Sequence, residues 1–335
     1  MPDRIPTLDG WRGIAILLVL FDHFQPALLG GYPAEWSRSG AHGVTIFFVL
    51  SGYLITSKLI AEPMNLRQFY IRRFFRLMPA TWVFLGFLAL LAATVNSYFI
   101  SGRLLASCLF FYRDLLLDGG YTQHFWSLSL EEQFYLTWPF VLLLAGARRS
   151  SWIAVVGIAA CAIYRGINWQ TYYRPNFCLL GWVRVDAILV GCLLALFLKD
   201  NTFRERAQRW TRIAWAPALA VFVFCAARAQ AIPPLWESLA ISVLIAGSSL
   251  NPASAPAALL SFRPLVWLGT ISYSAYLWQQ IFTIPLPSPM NIVMIFVLFP
   301  AFVLFSYYCI ERPFTRMGRN VSSEGRSAIQ ASVSA

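Results

Sequence analysis

Apolar runs dominate this chain, and most charged residues fall between them. Runs near 12–30, 43–60, 79–99, 131–147, 152–168, 178–198, 213–231, 235–250, 266–284 and 291–310 each approach the ~20 residues that carry a helix across hydrocarbon. The pattern predicts an all-α integral membrane protein with about ten transmembrane helices. A weaker run at 104–117 is interrupted by Arg113 and Asp114, and the basic residues decide whether it crosses. With that run left out and the N-terminus in the cytoplasm, nineteen Lys and Arg fall on cytoplasmic segments, six fall on the far side, and Arg184 stays inside a span. Cytoplasmic loops are the basic ones, so the asymmetry predicts ten spans with both termini cytoplasmic. Residues 100–130 then form a non-spanning segment on the far face. Pro287 and Pro289 predict a short far-side turn. The Ser- and Arg-rich stretch 315–335 is expected to be a disordered cytoplasmic tail behind a membrane domain at 1–314.

Composition sharpens this picture. The chain is 58% hydrophobic and 12% charged, against roughly 25% charged in soluble domains. The net charge of +11 comes from 24 Arg and two Lys. In a soluble protein that balance points to nucleic acid; here the cytoplasmic bias accounts for it, and no nucleic-acid partner is expected. The first run holds Asp22 and His23, and no small-residue cleavage pattern follows it, so it reads as a retained span rather than a signal peptide. The six Cys stand singly in apolar runs, which suits buried small hydrophobes and offers no metal or redox spacing. A multi-pass protein of the inner (plasma) membrane, with the lipid bilayer as its surroundings, follows.

The polar residues inside the apolar runs carry the candidate chemistry. Arg12 and His23 are eleven residues apart, about three full turns, and so share one helix face. The rise between them is ~16 Å, about half of a ~30 Å hydrocarbon core. Ionisable groups at that depth are costly and usually functional. Residues 66–78 alternate Arg72, Arg73 and Arg76 with aromatics. They read either as a basic helix on anionic lipid or as a phosphate site, since the guanidinium fork grips phosphate oxygens. Glu131 and Glu132 stand at the predicted far-side start of a span, where negative charge suits a helix N-terminus. Arg184 and Asp186 need partners on other helices, with Asp22, Glu131 and Asp186 the acidic candidates. His42 and His124 fall at predicted far-side edges without ligand spacing, so neither a metal site nor a catalytic role is expected for them.

Taken in order, LDGWRGIAILLVLFDHF, FFVLSGYLIT, FYIRRFFRLMPA, FWSLSLEEQFYL, the R-x-D-A-x-L-x-x-G of 184–191, GTISYSAYLW and IERPF resemble the membrane acyltransferase family called acyltransferase type 3, over roughly residues 5–314. The resemblance implies an enzyme that transfers an acyl group, usually acetyl from acetyl-CoA, to a hydroxyl of an envelope polysaccharide, a glycolipid or a related small molecule. The family's Arg-x10-His motif falls on Arg12 and His23, its R-x-x-R on Arg73 and Arg76, its WSL-x-x-E on Trp126 and Glu131, and its closing Glu-Arg-Pro on Glu311, Arg312 and Pro313. Many relatives carry a His shortly after the SY-x-x-YL motif. Here Trp278, Gln279 and Gln280 stand there, so that role does not carry over. Some relatives also carry a soluble hydrolase-like domain. This chain ends about 25 residues after its last apolar run, so it is expected to complete the reaction alone or to hand the acyl group to a separate partner.

These readings give an expected site. Arg12, Arg73, Arg76 and Arg312 take the phosphates of acyl-CoA at a cytoplasmic mouth. His23 acts as general base, with Asp22 and Glu131 as further catalytic residues, and no metal takes part. A sugar hydroxyl has a very high pKa and needs such a base as it attacks a thioester. Direct transfer and a covalent acyl-His intermediate both fit. The competing class is a transporter or flippase of an envelope precursor, because intramembrane Arg, Asp and His mark substrate paths as readily as active sites. Transporters often show two matching halves, and this chain has none. A third class is a structural subunit of an envelope complex.

Overall fold

Glycine sets the closest contacts of the bundle. A Cβ at Gly52 would sit 1.9 Å from the Ile188 carbonyl oxygen, and one at Gly191 would sit 2.0 Å from that of Val49. Small residues at such crossings bring two helix backbones together where lipid gives no hydrophobic drive for association. The computed structural model describes residues 5–29, 39–61, 66–95, 100–116, 120–168, 181–228, 234–283 and 290–333. Among these, all regular structure is helical. The helices are α1 (Pro6–Leu29), α2 (Ser39–Ala61), α3 (Leu66–Thr94), α4 (Gly102–Leu109), α5 (Phe125–Ile167), α6 (Val185–Leu198), α7 (Asn201–Ala227), α8 (Pro234–Leu250), α9 (Ala255–Leu260) and α10 (Arg263–Trp278). A last rod holds α11 (Met290–Val293), α12 (Phe299–Phe305) and α13 (Arg312–Val333), joined by π-helical turns at Met294–Leu298 and Ser306–Glu311.

Each apolar run read from the sequence holds a helix among its described residues. Among the described residues five helical stretches are long and apolar enough to cross a membrane: Ser39–Ala61, Leu66–Thr94, Phe125–Ile167, Asn201–Ala227 and Met290–Ser322. The longest, α5, is two arms. Gly146 takes φ +72°, a backbone that glycine adopts without strain, and Ser150 Oγ then reaches back to the Val141 carbonyl at 3.3 Å. The two runs at 131–147 and 152–168 fall on these two arms. The weak run at 104–117 forms only the eight-residue α4 and a 3-10 turn at Arg113–Leu115, too short to cross. The turn expected at Pro287 and Pro289 lies outside the described residues.

α1 lies in the middle of the bundle. Ala15, Ile16 and Val19 are fully buried. α1 packs between α2 and α10, where a Cβ at Gly269 would come within 1.8 Å of the Asp9 carbonyl oxygen. Local signals set the helix starts. The Asp200 carboxylate caps α7 through the Phe203 N–H at 2.7 Å, Ser101 caps α4 and Ser254 caps α9.

The stretch expected to be disordered from 315 onward continues as helix α13. It docks on α3, where Gly318 lets the backbone approach Phe75 and Arg72 donates to Ser322 Oγ at 2.7 Å. A Ser- and Arg-rich composition disfavours burial of its own, but a helix already started by the preceding rod and laid against a neighbour does not need it.

Candidate active site

Five helices converge on one cleft. α1 contributes Arg12, α2 Ser51, α3 Arg73 and Arg76, α5 Glu131, Glu132 and Tyr135, and α10 Tyr273 and Tyr276. Arg73 is fixed on two sides. Its Nε donates to both Glu132 oxygens at 3.1 and 3.2 Å, and its guanidinium carbon lies 3.1 Å from the centre of the Tyr135 ring. This is the bidentate, stacked geometry that Arg alone provides. Arg12 donates to Asp9 Oδ1 at 3.2 Å, one helical turn away. Ser51 donates to Glu131 Oε1 at 2.9 Å. Arg76 lines the cleft and is exposed, which marks its open end.

The carboxylates therefore stand elsewhere than the sequence placed them. Hydropathy puts Glu131 and Glu132 at a far-side helix start, away from the arginines, yet Glu132 is paired with Arg73. The reason lies in the segment before α5. Arg113, Asp114, Thr122 and His124 are all nearly fully buried, so the chain dips into the bundle and α5 begins inside it. Gln133 holds this segment, donating to the Phe111 carbonyl and to Asp114 Oδ1. Burial raises the Asp114 carboxyl above the usual range.

His23 is on the same face of α1 as Arg12. Its Nδ1 lies 2.8 Å from the Val19 carbonyl. A carbonyl only accepts, so the ring hydrogen is on Nδ1 and the lone pair is on Nε2. Asp22 faces away, toward the first turn of α2, where its carboxylate meets the backbone N–H groups of Ser39 and Gly40. That is a helix-capping position.

At the cleft wall, Ser127 and Tyr276 belong to a group that the sequence does not announce. The hydroxyls of Ser127 and Tyr276 bond each other, and both reach the His124 carbonyl, at 3.1 and 3.2 Å. Gln280 Oε1 accepts from the His124 backbone N–H at 2.9 Å and from its ring Nδ1. Only the separation of four from Tyr276 at the end of α10 to Gln280 in the 3-10 turn Gln279–Thr283 hints at this in the sequence.

Other singled-out residues lie apart from the cleft. Arg312 is exposed near the Tyr308 ring. Glu311 accepts from Ser274 at 2.8 Å. Asp186 pairs with Arg165 rather than Arg184, both being almost fully buried. Arg184 donates to Thr45 Oγ1 at 2.6 Å and faces the Trp126 ring. His42 pairs with Glu237 at 2.9 Å. Among the described residues no three His, Cys, Asp or Glu gather as metal ligands do. Burial pushes the Cys108 thiol up to about 11, away from thiolate chemistry.

Comparison with known proteins bears on this arrangement. A family model described as an acyltransferase domain matches residues 5–311. The chain is 31% identical to YrhL of Bacillus subtilis (strain 168) over 94% of its length and 55% of that protein. It is 30% identical to the peptidoglycan O-acetyltransferase OatA of Listeria monocytogenes serovar 1/2a, over 82% of the chain and 49% of the relative. It is 26% identical to the O-acetyltransferase OatA of Staphylococcus aureus (strain NCTC 8325 / PS 47), over 95% of the chain and 58% of the relative. The chain thus spans about half the length of the curated relatives it matches. No solved structure matches it.

Proposed function

Since this chain belongs to the acyltransferase domain family, we propose that it is a membrane O-acyltransferase that moves acetyl from cytoplasmic acetyl-CoA to a hydroxyl of an envelope carbohydrate. The relatives' names make peptidoglycan the first acceptor to test. The observation that carries the reading is His23. Its Nδ1 is committed to the Val19 carbonyl, its Nε2 lone pair meets no hydrogen-bond donor among the described residues, and it stands ~16 Å above Arg12 on one helix face.

The donor enters at the exposed Arg76 end. Arg12 and Arg76 take its phosphates, while Arg73, already gripped by Glu132, braces the wall they share. The thioester arm follows the cleft past Glu131, which Ser51 holds in place, toward His23. His23 Nε2 removes the acceptor's hydroxyl proton as that oxygen bonds to the thioester carbonyl carbon. The carbon–sulfur bond then breaks, and the proton passes to the departing sulfur, which leaves as free CoA thiol. Asp22 serves this step by holding α2 against α1. Arg312 flanks the mouth without joining it.

The same reading has ten spans with both termini cytoplasmic, supported by the nineteen-to-six distribution of basic residues and by the two arms of α5. It places the protein in the plasma membrane. The test is transfer of radiolabelled acetyl from acetyl-CoA to soluble peptidoglycan fragments by inverted membrane vesicles. Wild-type protein is expected to label them. His23→Ala, at equal membrane level, is expected to lose about 10²–10⁴-fold in rate. Wild-type rates in His23→Ala would sink the assignment.

A further inference from the structure

His124 is 3% exposed, and its Nε2 has no hydrogen-bond partner. Buried polar atoms are rarely left so, because an unmade hydrogen bond carries the full desolvation cost. Its tautomer is not in question. Gln280 Oε1 is an acceptor, and it takes both the His124 backbone N–H and the ring Nδ1–H. The proton is thereby fixed on Nδ1, and Nε2 carries the lone pair, with no hydrogen-bond partner in hydrogen-bonding geometry among the described residues. Phe84, Phe125 and Tyr276 surround the ring with centroids 5.6, 4.9 and 5.6 Å away, so its orientation is set by packing as well.

The helix register places this lone pair at the level of His23. α1 and α10 cross closely at Gly13 and Gly269, and α1 goes on to meet the 3-10 turn Gln279–Thr283 that follows α10, so the two run in the same direction. His23 is ten residues beyond Gly13, and Gln280 is eleven beyond Gly269. At 1.5 Å per residue both stand ~15–16 Å from that crossing. With the ring hydrogen on Nδ1 in both, each Nε2 can only accept, and the two cannot bond each other. They need a ligand with two donors.

We propose that His124 is an acceptor-recognition residue, its Nε2 taking a hydrogen bond from a second hydroxyl or amide N–H of the carbohydrate whose neighbouring hydroxyl faces His23. This rests on the acyl-transfer reading above. The donor does not supply the group. Its amide N–H groups trail behind the thioester toward the Arg76 mouth, whereas His124 lies behind Ser127, a lining residue whose hydroxyl donates to the His124 carbonyl. Gln280 is a positioning residue that acts through His124.

The experiment measures acetyl transfer to soluble fragments built of N-acetylglucosamine and N-acetylmuramic acid, with KM determined separately for fragment and acetyl-CoA. His124→Phe keeps the ring contacts and removes the lone pair. It is expected to raise the fragment KM about tenfold to a hundredfold, with the acetyl-CoA KM within about twofold of wild type. Gln280→Leu frees the ring and is expected to move the fragment KM in the same direction. Gln280→Glu keeps an accepting oxygen and is expected to restore it. An unchanged fragment KM in both His124→Phe and Gln280→Leu overturns the proposal, as does a rise in the acetyl-CoA KM instead. Failure of the acyl-transfer reading is distinct: wild-type protein itself would then turn over no acetyl-CoA, which overturns both.

Discussion

At the Arg12 end of the cleft the polar groups are matched. Asp9 holds Arg12, Glu132 and Tyr135 hold Arg73, Ser51 holds Glu131, and Thr81 and Tyr273 bond each other at 2.8 Å. At the His23 end they are not. His124 Nε2, Trp278 Nε1 and both polar atoms of the Gln279 amide are buried without a hydrogen-bond partner among the described residues. The same residue types thus do two jobs. Matched groups are scaffold, and their removal is felt in stability. Unmatched buried groups each cost roughly 1–3 kcal/mol until something satisfies them, and their removal is felt in what the protein binds or turns over.

The largest effect expected from this contrast is at His23. His23→Ala should lower the rate by about 10²–10⁴-fold while leaving the thermal stability of the purified protein near wild type, because the residue's hydrogen bond is to its own helix. A large fall in melting temperature with a small fall in rate would put His23 among the scaffold instead. The next effect is the reverse case. Arg73→Ala leaves Glu132 in a mostly buried place without its partner and should cost about 2–3 kcal/mol, discounted from the fully buried range because the pair keeps some solvent contact. The double variant Arg73→Ala/Glu132→Ala should recover part of that loss in a detergent melting experiment. If the double variant is less stable than either single one, the pair is not a unit of the scaffold.

Most of the helical architecture could be read from hydrophobic runs, since a helix in lipid must satisfy its own backbone and long apolar stretches leave few alternatives. The shared face of Arg12 and His23 follows from helical spacing alone. Depth does not follow. Hydropathy locates a span but not how far a preceding segment sinks into the bundle, so Glu131 and Glu132 read as surface residues although Arg113, Asp114, Thr122 and His124 fold inward ahead of them. A lone His beside a helix start carries no sequence signal, and His124 is such a residue. What makes it a candidate is Gln280, 156 positions away. Asp186 likewise finds its partner in Arg165, which the charge pattern assigns to a far-side loop.

The smallest effects separate two arginines that look alike in the sequence. Arg76 and Arg312 are both exposed and both sit in family motifs, but Arg76 lines the cleft and Arg312 lies against Tyr308 outside it. An exposed guanidinium contributes little to stability, so neither Ala variant should alter the melting temperature. Removing a phosphate ligand at the mouth removes a charge-assisted hydrogen bond, worth roughly 1.5 kcal/mol. Arg76→Ala should therefore raise the acetyl-CoA KM about tenfold, and the increase should shrink in high salt because the site is open to solvent. Arg312→Ala should change it less than about twofold, the residue being a flank rather than a ligand. Equal shifts in the two variants would mean that the donor is drawn by the general basic surface and not by the cleft, and the boundary between mouth and flank would have to move outward to include Arg312.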